Sequence, residues 1–187
     1  KWAVENEHVP PSLHHGLNSV VGLRRGRTDA PEPKPILPVD DVDVHASVPH
    51  MPPPVAAMVW LQYWTGMRPG EVTTMRTGDI DRTRKVWIYR PRSHKTEHHG
   101  IEREISIGPK AQEVLRPWLK ADPEALIFSP REAEEERSKR RREDRKSPMT
   151  PSQRRRKRNP KRARPPKESY STDTYRRAVQ RACEKGG

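Results

Sequence analysis

VAAMVWLQYWTGMRPGEV, residues 55–72, decides how this chain is read. Its first ten residues are apolar apart from Gln62, and they are enough for nearly three turns of a helix that belongs in a core. Buried helices usually end in bland polar turns. This one ends in an arginine held between two glycines, Gly66 and Gly70, with Glu71 three residues after Arg68. Gly66 allows a sharp turn after the helix, Pro69 stiffens that turn and can start the next helix, and Gly70 lets a second backbone come close. Arg68 is therefore expected at the rim of a core, with Glu71 near enough to orient it.

The rest of the chain limits what such a turn can belong to. At 187 residues the chain is long enough for one ordinary domain and part of another. With 30% hydrophobic residues, 34% charged, 21 prolines and a mean hydropathy of −1.11, it does not read as one compact globule. Part of it is expected to be extended or disordered. A formal charge of +13 and a pI near 10.3 favour a polyanionic partner, of which nucleic acid is the commonest. The charge is uneven. Residues 131–168 hold 17 Lys and Arg against 7 Asp and Glu, whereas all other residues hold 21 against 18. That segment begins with helix-compatible Glu/Arg blocks and turns to Pro and Arg with nothing apolar to bury. It reads as a solvated or disordered insertion, either gripping phosphates non-specifically or tolerated as a passive loop.

A single cysteine, Cys183, excludes an intramolecular disulfide and fits a reducing compartment; its place on or beside a helix's inner face makes it a small buried hydrophobe. No apolar run reaches about 18 residues, so no membrane span is expected. The chain opens on Lys1 without a signal-peptide pattern and stops at Gly186-Gly187, where a helix is ending. Both ends read as cut.

Along the chain, Leu13, Leu17, Val20 and Val21 have helical spacing, closed by Gly22. Residues 28–38, TDAPEPKPILP, read as a stiff proline-rich linker and the best domain boundary. Asp40 or Asp41 can cap a short helix through Val48. Trp60 and Trp64, one turn apart in the apolar helix, are expected in the core and not as stacking platforms. After Asp79 a hairpin is expected: a strand patterned on Val86 and Ile88, a polar turn SHKTEHHG, then IEREISI with alternating isoleucines. Pro109 opens a helix carrying Ala111, Val114, Leu115 and Trp118. The last helix is capped by Thr172, has Tyr175, Ala178, Val179 and Ala182 on its inner face, and ends at Gly186.

In this order the motifs carry a resemblance. T-G-M-R-P-G-E-V resembles the first arginine box of the tyrosine recombinases, the phage-integrase family, whose pattern is roughly T-G-x-R-x-G-E. SHKTEHHGIEREISI resembles that family's β-turn lysine, usually written K-T, with the strand that follows. YRRAVQRACEKGG resembles the segment before its second motif box. The resemblance runs from about Ile36 to Gly187, apart from the basic insertion. It implies a mainly α fold with a small antiparallel hairpin or sheet, the DNA breaking–rejoining catalytic domain, here truncated. Residues 1–27 would be the end of a helical DNA-clamping domain and residues 39–187 the N-terminal part of the catalytic domain.

The chemistry of the residues agrees with that reading. Displacement at phosphorus builds negative charge on non-bridging oxygens, which a forked guanidinium matches at any working pH. Arg68 and Lys95 are the candidate catalytic residues. The resemblance gives Lys95 the role of protonating the leaving 5′-oxygen, which suits a mobile amine. Glu71 would restrain Arg68. Arg103, facing solvent or DNA from its strand, and Arg154, Arg155, Arg156, Lys157 and Arg158 in the insertion are candidate DNA contacts. His94, His98 and His99 crowd the lysine turn without metal-ligand spacing, so no metal and no other cofactor is expected.

Two elements of the family's chemistry are missing from the sequence. No histidine is followed three residues later by arginine, so there is no H-x-x-R box. Tyr63, Tyr89, Tyr170 and Tyr175 all precede the place of the nucleophile that forms the 3′-phosphotyrosyl link, and none is assigned to it. The expectation is a DNA-binding fragment of a cytoplasmic recombinase (nucleoid-associated in a bacterial host), inactive as given. Its partners would be double-stranded DNA and, in the full-length protein, further protomers. The competing class is a non-catalytic basic nucleic-acid-binding protein whose arginine box is structural.

Overall fold

The computed structural model describes every residue except 24, 25, 28, 30, 33, 34, 36, 94–101, 156–164 and 187. The chain divides into two compact units, Lys1–Pro38 and Val39–Gly187. The first holds α1 (Trp2–Glu5) and α2 (Pro11–Ser19) and buries no residue in either helix. Leu13 and Leu17 are exposed, and α2 stops before Val20 and Val21, so the spacing marks a helix without marking a buried face.

The second unit carries α3 (Asp41–Ser47), α4 (Pro53–Thr65), α5 (Pro69–Thr73), α6 (Pro109–Leu115), α7 (Pro130–Glu143), α8 (Pro151–Arg155) and α9 (Thr172–Gly186). Three short strands lie among them: β1 (Ile80–Asp81), β2 (Trp87–Tyr89) and β3 (Ile105–Ile107). The fold is mainly helical with a small antiparallel sheet. Among the described residues no helix is long and apolar enough to cross a membrane.

α4 forms because an apolar run follows a proline that presets the first turn, and it stops where Gly66 adopts a left-handed conformation (φ 65°). It packs against α5, α6, β3 and α9, burying Val55, Ala57, Met58 and Leu61. The helix is apolar nearly all round, so composition could not say which face turns inward. Trp60 is only half-buried, and Trp64 is exposed beneath the Lys110 ammonium, 4.3 Å from the ring centre. The expectation that both tryptophans are core residues is corrected: the core takes the smaller side chains.

The sheet runs in the order β1-β2-β3, every pair antiparallel, with Ile80 opposite Tyr89, Tyr89 opposite Ile105 and Trp87 opposite Ile107. Asp81 closes the β1–β2 turn by accepting from the Thr83 backbone at 3.0 Å and its hydroxyl at 2.6 Å. The inward residues of β2 are Trp87 and Tyr89, not Val86 and Ile88. Four consecutive apolar residues satisfy either phase, and burial of the two aromatics decides it. Ile105 and Ile107 are buried as expected.

Ser171 and not Thr172 caps α9: Ser171 Oγ accepts from the Thr174 backbone at 3.2 Å, and Thr174 Oγ1 accepts from the Ser171 backbone at 2.9 Å. Tyr175 and Ala182 are buried, while Cys183, one position round from Ala182, is exposed and not the buried hydrophobe expected. The start of the basic segment is ordered helix. α7 has Glu132 in its first turn and Arg140, Arg141 and Arg142 in its last, matching the helix dipole, and is tied down by Lys120–Glu132 (2.6 Å) and Arg131–Glu168 (2.5 Å).

Candidate functional site

The site is assembled where α4 gives way to α5. After Gly66 the Met67 side chain returns to the core, 3% exposed, and its carbonyl accepts from Gln62 Nε2 at 3.0 Å. With Met67 fixed inward, the extended backbone at Arg68 (φ −76°, ψ 154°) carries its side chain outward, 47% exposed, and Pro69 begins α5. Glu71 is nearly inaccessible at 3%. Its Oε2 accepts from the Arg68 backbone N–H at 2.6 Å, and its carbonyl accepts from the buried Tyr89 hydroxyl at 2.8 Å. The arginine is therefore held at its backbone, while its guanidinium only approaches Glu71 Oε1, at 3.9 Å. That is an ionic contact too long for a hydrogen bond. Gly70 faces Thr172 at the start of α9, where an added Cβ would meet Thr172 Cγ2 at 4.0 Å.

Arg103 joins this group. It lies just before β3, and its Nε donates to Glu71 Oε1 at 3.1 Å, leaving the side chain 35% exposed. The sequence placed it facing solvent or DNA; the structure turns it back onto the buried carboxylate. One carboxylate thus serves two arginines, Arg103 through its side chain and Arg68 through its backbone, leaving a net positive charge at a half-open surface, which suits an anion.

The hairpin stem is fixed by further arginines that sequence reasoning did not single out. Arg90, just after β2, reaches Glu104 beside β3 at 2.6 Å. Arg92 grips Glu124 with two bonds of 2.7 Å and Asp79 with a third of 2.7 Å. This holds the Glu124 carboxyl below the usual carboxylate range. Arg76 also donates to the Glu124 carbonyl. The partners lie 13 to 48 residues apart, so no local spacing announces them. Lys95 and the neighbouring His94, His98 and His99 lie outside the described residues, as do Arg156, Lys157 and Arg158. Arg154 and Arg155 end the short α8, fully on the surface.

Two of the four tyrosine hydroxyls are committed to the arginine turn. Tyr89 bonds to Glu71, and Tyr175 donates to Gln62 Oε1, whose amide nitrogen holds Met67. Burial pushes both phenols well above the ordinary tyrosine range, and it raises Tyr170 as well. Tyr63 is raised mainly by its hydrogen bond with Asp41. Among the described residues no group of His, Cys, Asp and Glu is placed to hold a metal ion.

Residues 48–185 match the model of the Phage integrase family. No curated protein and no solved structure matches the chain.

Proposed function

Because the chain belongs to the phage integrase family, we propose that it is the DNA-holding part of a site-specific recombinase in which Arg68 meets the scissile phosphate. The observation that carries this is Arg68 itself: backbone pinned by a buried carboxylate, side chain half-open, and no hydrogen bond on its guanidinium among the described residues. Such a group is preorganised for charge that develops on non-bridging oxygens. Lys95 would deliver the proton to the leaving 5′-oxygen, and the Arg90 and Arg92 clamps would fix the stem that leads to it. Arg154, Arg155, Arg156, Lys157 and Arg158 would contact the DNA backbone. Residues 1–27 would belong to a helical clamp domain joined by residues 28–38 to the catalytic part, residues 39–187. Strand transfer would need an H-x-x-R box and a nucleophilic tyrosine that this sequence does not contain. The chain as given then binds DNA and forms no covalent adduct.

The test is equilibrium binding of a labelled duplex over a range of salt. Arg68→Ala is expected to weaken binding and to lower the slope of log K against log salt by about one, the signature of one lost phosphate contact. It should leave the unfolding midpoint in place. In the competing reading, a basic nucleic-acid-binding protein with a structural arginine turn, the same change lowers the midpoint and leaves the slope alone.

A further inference from the structure

A buried carboxylate three residues after an arginine ordinarily captures it. Glu71 has the reach, since its Oε1 stands 3.9 Å from Arg68 Nη1, yet the fork–carboxylate pair does not form. The reason lies on the other side of the same oxygen. Arg103 Nε donates to Oε1 at 3.1 Å, and the second oxygen is taken by the Arg68 backbone at 2.6 Å. Each oxygen of Glu71 thus has a closer donor than the Arg68 guanidinium. A carboxylate that would neutralise Arg68 is made instead to anchor its backbone.

We propose that Arg103 is a positioning residue: it occupies the Glu71 carboxylate so that the Arg68 fork stays open for an oxyanion of phosphate. This rests on the proposed role of Arg68 and adds what keeps that residue available. Remove the Arg103 charge, and Glu71 Oε1 loses its partner and turns to the nearest cation, Arg68. The two then pair, and the phosphate loses its donors. The consequence differs from that of a merely structural ion pair. The defect comes from a carboxylate in the wrong place, so removing that negative charge should cure it. Glu71→Gln keeps an amide oxygen for the Arg68 backbone N–H while giving up the charge that captures the guanidinium.

The experiment uses the full chain with inorganic phosphate as the probe, followed through the arginine Nε–Hε resonances; the Arg68 signal is assigned by its loss in Arg68→Lys. Phosphate should move the Arg68 signal in the wild type. Arg103→Met should weaken that response about tenfold, the loss of a charged hydrogen bond at the anion. Arg103→Lys should stay near wild type, because an ammonium can also occupy the carboxylate. The double variant Arg103→Met/Glu71→Gln should recover most of the lost affinity, beyond any gain seen in Glu71→Gln alone. Full phosphate affinity in a folded Arg103→Met, or a double variant no better than Arg103→Met, overturns the positioning role and leaves the reading of Arg68 intact. An Arg68 signal indifferent to phosphate in the wild type overturns both. Should Arg103→Met fail to fold with Glu71 stranded, the double variant decides: near-wild-type affinity supports the proposal and weak affinity refutes it.

Discussion

Glu71 gives each of its three oxygens to a different part of the fold. One carboxylate oxygen holds the Arg68 backbone, the other meets Arg103 from the approach to β3, and the carbonyl receives Tyr89 from β2. Glu71→Ala should therefore be expensive, about 3–5 kcal/mol in urea unfolding, because it breaks a buried ion pair and uncaps the turn. Glu71→Gln keeps the cap and should cost only about 1–2 kcal/mol. Equal costs would show that the cap contributes nothing. At this scale the sequence was half legible. The spacing of Arg68 and Glu71 is local, and the structure puts the two in contact: the glutamate holds the Arg68 backbone, while the guanidinium stands 3.9 Å away. Arg103 was expected to face solvent or DNA; two residues before the buried Ile105 it continues the inward phase of β3, and its Nε meets Glu71 while the side chain stays 35% exposed.

Two elements, β2 and α9, are each moored to the arginine turn by one tyrosine, and their burial predicts how they respond to alkali. Tyr89 and Tyr175 have hydroxyls raised above the ordinary value near 10, so in the folded chain they keep their protons where the unfolded chain has already lost them. The unfolded state then binds fewer protons, and stability must fall as pH rises above about 10. Denaturant unfolding between pH 9 and 11 measures this, and Tyr175→Phe should flatten the decline. A decline unchanged in Tyr175→Phe would mean that this phenol is not protected. The elements themselves were legible where the apolar signal was strong, as a continuous run in α4 and as periodicity in α6 and α9. They were not where one residue's rotation decides: Ser171 against Thr172 as the cap, Ala182 against Cys183 on the inner face. β1 has two residues and offers no pattern.

Across the whole molecule, the basic character is concentrated where the fold contributes least burial. α7 is docked through Lys120 and Arg131, but the arginines that follow, among the described residues, are exposed. Deleting residues 146–164 should lower the salt slope of duplex binding by several units, against about one for Arg68→Ala. The unfolding midpoint should not move. A slope that survives the deletion makes the segment a passive loop. Composition located the basic segment at residues 131–168, but it could not foresee the ties that cross the fold. Arg103–Glu71 and Arg92–Glu124 each span 32 residues, and Tyr175–Gln62 spans 113. Such pairs are written by topology, and topology here depends on three strands of two or three residues.

The longest of those ties also sets a clock. Gln62 grips Met67 with its amide nitrogen and is gripped by Tyr175 through its amide oxygen. A ribosome adds roughly 5–20 residues per second, so the newborn chain has carried α4 and the arginine turn for several seconds before Tyr175 is made. Through that interval the turn has its near clamp, Glu71, but not its far one. Nascent chains stalled before residue 172 should leave the Met67 region open to limited proteolysis, and chains extended through α9 should close it. The arginine turn thus waits for a residue made 113 positions after the glutamine that holds it.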